Sequence, residues 1–172
     1  MSRSLPVCRL CLEFNLEESM TRKLYEQYYG RGPWATGAPV VLPSGDTSFI
    51  HILELPPECL FKRVVVVSTG TVVDGAVTPF GADTEPSFSV DIFNQYDLIN
   101  QTTEDLARIM PTMNSSDGVV FWATHDYGYA GSNMEGTPAQ RTRRFCMRIL
   151  VDGSIRDDVE FEIAVTVEPT QA

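Results

Sequence analysis

Within Thr142 to Val167 the chain reads Arg144-Phe145-Cys146-Met147-Arg148-Ile149-Leu150-Val151 and, after a polar break, Val159-Glu160-Phe161-Glu162-Ile163-Ala164-Val165-Thr166-Val167. Apolar residues occupy the odd positions of both runs. Successive side chains of a strand point to opposite faces, so each run offers one apolar and one mostly polar face, as in a half-buried sheet. The break, Asp152 to Asp158, contains Asp-Gly and three acids and suits a reversal at the surface.

Working outward, Ser4 to Phe14 alternates as a strand with Cys8, Leu10, Leu12 and Phe14 on its apolar face. From Leu16 to Tyr29 the period changes: Leu16, Met20, Leu24, Tyr25 and Tyr28 fall at helical spacing, with Asn15 as cap and Gly30 as stop. Chain breakers fill Gly30 to Gly45, a connecting loop anchored by Trp34. Thr47 to Leu55 is apolar at both parities and reads as a strand covered on both faces. Leu60 to Ser68 and Thr71 to Thr78 are β-branched runs that form the best local hairpin candidate, turning at Thr69-Gly70.

Ser87 to Phe93 is a one-sided strand, Thr103 to Met110 a two-turn helix stopped by Pro111, and Gly118 to Ala123 a further apolar strand. His125 to Gln140, with three glycines and a proline, is the most irregular long loop. The expected fold is mainly β: a single-domain antiparallel β-sandwich over residues 1–172, with about eight strands, jelly-roll-like, and two short helices in the connections.

Length and charge narrow the partners. A chain of 172 residues has the size of one ordinary domain. Its formal net charge of −10 disfavours duplex nucleic acid, whose binding relies on neutralising phosphates, and anionic membranes likewise. The longest aliphatic run, Val64 to Val67, is far short of the ~20 residues of a spanning helix, so no membrane insertion is expected. The first residues lack the apolar stretch of a secretory signal, so the expected location is the cytoplasm, or the virion if the source is viral. The sequons at Asn100 and Asn114 then have no role.

Chemistry is harder to find. Cys8-Arg-Leu-Cys11 lies in an expected strand, where positions three apart face opposite ways, so a redox pair or a zinc knuckle is not expected. His51 shares a strand face with Phe49 and Leu53 and reads as a satisfied core histidine. His125 lies on a loop but has no nucleophile motif to serve, and the acids of Asp152 to Asp158 lack calcium-loop spacing. No catalytic, metal or cofactor residues are therefore expected.

Two contact surfaces are readable. Arg141, Arg143, Arg144 and Arg148 concentrate basic charge beside the core strand and serve either to pair with Glu160 and Glu162 or to contact an acidic neighbouring subunit. Tyr127, Tyr129 and Asn133, with Trp122 and Trp34, supply aromatic faces and an amide suited to a subunit contact or to a glycan.

This strand pattern in an acidic chain without a catalytic set resembles the single jelly-roll viral capsid proteins of the penton or minor-capsid kind. The resemblance implies a structural subunit of a symmetric shell, with no substrate and no cofactor, whose partners are other copies of itself and other shell proteins. A glycan- or protein-binding module is the alternative and an enzyme the third reading.

Overall fold

The computed structural model describes residues 23–81, 84–96, 108–132, 144–153 and 155–170. The two alternating runs form the longest-range framework: β10 spans Arg144–Val151 and β11 spans Asp158–Pro169. Phe145, Met147, Ile149 and Val151 of β10 and Val159, Phe161, Ile163, Val165 and Val167 of β11 are all buried. These strands do not form a hairpin. Each lies in a separate antiparallel sheet, and the Asp152 to Asp157 stretch carries the chain from one to the other.

In the first sheet, β1 (Tyr25–Tyr29) and β2 (Val40–Leu42) pair with one side of β11. The 16-residue β4 (Glu58–Val73) pairs with its other side. The far side of β4 carries β5 (Ala76–Thr78), β8 (Val119–Ala123) and β9 (Tyr129–Ser132). The second sheet runs β3 (Ser48–Leu53), β10, β6 (Phe88–Tyr96), β7 (Met113–Asn114). One hydrophobic cluster joins the inner faces of both sheets. The Phe61 ring meets that of Phe145 at 5.4 Å and the Phe88 ring meets that of Phe161 at 5.1 Å, both edge-on across the sheets.

Several expectations are corrected. The loop expected over Gly30 to Gly45 contains β2, and Trp34 is exposed there and does not anchor it. The helix expected over Leu16 to Tyr29 ends in a strand: Tyr25, Gln27 and Tyr29 lie opposite Val167, Val165 and Ile163 of β11. Pairing with a neighbour outweighs the helical spacing of Leu24, Tyr25 and Tyr28. The described end of the second expected helix, Arg108 to Met110, is not helical: Arg108 bridges to Phe93, the Ile109 N–H donates to the carbonyl of Ile92, and Ile109 and Met110 form a bend.

The expected turn at Thr69-Gly70 is the middle of β4. The chain reverses instead at Asp74-Gly75, where both residues have positive φ, 50° and 80°, as a two-residue hairpin requires. Gly70 marks a bulge: Glu160 faces Gly70 and Phe161 faces Ser68, which leaves Thr69 extra. A Cβ on Gly70 would strike the carbonyl of Thr78.

The long loop from His125 contains β9, so it is less irregular than its composition suggests. The strand expected over Ser4 to Phe14, the residues Leu16 to Arg22 and Thr103 to Ala107, and Cys8 and Cys11 lie outside the described residues. Among the described residues no helix is long and apolar enough to cross a membrane.

Candidate functional site

β8 and β9 form an aromatic rim along β4. Alternation turns Val120 and Trp122 inward against Val66 and Val64, and turns Phe121 outward opposite Val65. Phe121 is 65% exposed, and the Arg63 guanidinium lies 5.8 Å from its ring centre. The link to β9 is pinned to β4: the Thr124 N–H donates to the Lys62 carbonyl at 2.9 Å, and a Cβ on Gly128 would strike the Phe61 carbonyl. Tyr129 then packs its ring 5.5 Å from that of Trp122, while Tyr127 stands 78% exposed.

The start of β10 reaches the same region. Gly131 of β9 lies so close to the Phe145 ring that a Cβ there would approach it within 2.6 Å. Arg144, next to Phe145, is exposed and takes part in an interaction of its own. Arg144 is thus exposed at the end of β10 that β9, the strand of Tyr129, approaches. Asn133, Arg141 and Arg143 lie outside the described residues. Phe121 and Arg63 are the members of this rim that sequence reasoning missed. Their signal was Phe121 standing out of phase between Val120 and Trp122.

The charge pairing differs from the expectation. Arg148 does not meet Glu160 or Glu162. Its guanidinium binds Asp91 of β6 at 2.9 Å, Arg108 reaches the same carboxylate at 3.2 Å, and Thr112 donates to it as well. Burial pushes the Asp91 carboxyl up, yet these hydrogen bonds and the two guanidinium charges together hold it below its ordinary value. Glu160, 1% exposed, instead takes Arg31 at 2.7 Å and the Thr69 hydroxyl at 2.7 Å, and the Tyr28 hydroxyl donates to Glu162 at 2.9 Å. The bulge at Thr69 is what supplies that hydroxyl.

The two histidines stand apart. His51 of β3 packs its ring 4.2 Å from that of Tyr29 and stacks on Phe49. Burial drives its pKa down to about 4. It is a half-buried histidine on the strand β3, not a satisfied core one, because its buried Nε2 has no hydrogen-bond partner. His125 is exposed, and its carbonyl accepts from the Lys62 ammonium at 3.5 Å.

Cys59 and Cys146 are free, buried thiols in different sheets, each pushed by burial up to about 12, with the Arg148 charge pulling the other way on Cys146. Among the described residues no group of three His, Cys, Asp or Glu side chains is gathered for a metal ion. What the rim offers chemically is contact: aromatic faces, cationic groups and a strand edge. No protein-family model matches the chain, and no curated protein sequence matches it.

Proposed function

We propose that the chain is a structural subunit of a symmetric protein shell, a viral capsid protein of the penton or minor-capsid kind built on a jelly roll. One observation carries this reading: the strands pair from the outside of the sequence inward. β1 and β2 pair with β11, β3 with β10, β4 with β8 and β9, and β6 with β7. With β1 and β2 counted together, and β8 with β9, eight strands make four nested antiparallel pairs. Among the described strands only β5 falls outside the nest. A double ribbon of this kind, rolled into two sheets, supports the jelly-roll reading, the architecture of viral capsid and lectin domains.

The step from fold to function is architectural analogy. The aromatic and basic rim supports it by supplying a contact surface of the composition found at interfaces, with Arg63, Phe121, Tyr127, Tyr129 and Arg144. Arg141, Arg143 and Asn133 belong to the proposed contact through their place in the sequence. Other copies of the chain and other shell proteins are the proposed partners, and the virion the proposed location.

Replacing Arg141, Arg143 and Arg144 with Glu tests the reading by sedimentation. Assembly should weaken while the monomer stays folded, and added salt should weaken assembly of the unaltered chain. Salt-independent assembly that ignores the three changes would contradict it.

Lectin domains also use the jelly roll, and the Tyr129 and Trp122 pair with exposed Tyr127 nearby in sequence favours a glycan-binding module as the second reading. It predicts a monomer that binds a defined sugar and loses it in Tyr127→Ala and Tyr129→Ala.

A further inference from the structure

Trp34 is 81% exposed, yet the loop that carries it is held firmly. The Tyr28 carbonyl accepts the N–H groups of Thr36 and Gly37 at 2.7 and 3.1 Å, the Gly30 N–H donates to the Gly37 carbonyl at 3.0 Å, and the Ala35 N–H donates to the Gly32 carbonyl at 3.0 Å. The Thr36 hydroxyl accepts from the Tyr28 N–H at 2.9 Å. Arg31 then fastens the loop to the outer face of the first sheet through buried Glu160. A large apolar side chain presented to water on a constrained loop loses little entropy when a partner covers it, which is the physical profile of an interface anchor.

The same chain carries a receptor of matching chemistry. The β10 to β11 connection and the segment after β5 enclose an open cleft of about 320 Å³ over Val159, at the lower end of the range that takes a small ring system. Phe80 and Ile155 wall it and pack against the core, so this side is firm. Arg156 lines it and can lie over an aromatic face. Asp152 and Asp157 supply acceptors for an indole N–H, which can only donate. Among the described residues these three charged side chains make no hydrogen bond or ion pair with one another or with any other group.

We propose that Trp34 of one copy enters the cleft walled by Phe80, Ile155 and Arg156 on a second copy. This rests on the assembly reading and names its partner surface. Made in one direction only, the contact is heterologous and leaves a free anchor and a free cleft from which a ring grows; made reciprocally about a two-fold axis, it closes a dimer.

Two variants test it by sedimentation velocity: Trp34→Ala, which keeps the cleft, and Thr84→Trp with Arg156→Glu, which fills and recharges the cleft but keeps Trp34. Both change exposed positions, and circular dichroism checks that each is folded. At a concentration where the unaltered chain assembles, each variant alone should sediment as a monomer. Their equimolar mixture should regain a one-to-one association, through the anchor of one variant and the cleft of the other. In the unaltered chain, tryptophan emission should move to shorter wavelength on assembly, and Trp34→Ala should abolish the shift. If the unaltered chain assembles but Trp34→Ala assembles equally well, or the mixture gives no dimer, the Trp34 contact is overturned and the assembly reading stands. A chain that stays monomeric at every concentration overturns both.

Discussion

The carboxylate of Glu160, on the outer face of β11 and only 1% exposed, lies 2.7 Å from the guanidinium of Arg31. It is an acid inside a sheet face that would otherwise be solvated. Removing the cation leaves a buried charge held by Thr69 alone, and an uncompensated buried charge costs far more than the pair contributes. Arg31→Ala should therefore lower the thermal midpoint clearly, and adding Glu160→Gln should restore much of the loss. Additive losses in the double variant would contradict this coupling.

Phe161 is fully buried with its ring 5.1 Å from Phe88 of the opposite sheet. Phe161→Ala should cost about 3 to 5 kcal/mol in denaturant unfolding, through lost burial and the cavity left between the sheets. A loss below about 1 kcal/mol would mean that the sheets are not packed as described.

Acid should destabilise the fold in two stages. His51 titrates near 4 when folded against 6.5 when free, so the unfolded chain takes its proton first. Stability is full above pH 6.5 and falls as pH drops from there toward 4. Asp91, held below its ordinary 3.8, adds a loss only as pH falls below that value and through its folded one. His51→Leu should flatten the first stage and leave the second. An unchanged slope between pH 6.5 and 4 would remove His51 from the account.

Cys59 and Cys146, buried and with thiols pushed up to about 12, should resist a thiol reagent at neutral pH until the chain unfolds. Titration of a Cys8→Ser, Cys11→Ser variant checks this. Rapid native modification of either remaining thiol would contradict its burial.

How much of this was legible depended on where the governing contact lay. β10 and β11 were readable because each buries one face, and burial writes period two into the sequence. β1 was not, since its partner β11 is more than a hundred residues away and its tyrosines also fit a helix. The Asp74-Gly75 hairpin was readable in principle, Asp-Gly being a stronger turn signal than Thr-Gly, but the β-branched run around Gly70 hid a bulge that only the pairing with β11 reveals.

The rim was half legible: Tyr127 and Tyr129 stand in a glycine-bearing stretch, whereas the exposure of Phe121 depends on β8 lying at a sheet edge. Glu160 looked like any solvated strand acid, because nothing near it in sequence announces Arg31.

The central claim is that this chain works as a repeated subunit. Native mass measurement across a concentration series, with no ligand added, tests it most directly. The account predicts discrete higher masses at integral multiples of the chain, growing with concentration and receding with salt. A single monomer mass up to the highest attainable concentration would contradict it.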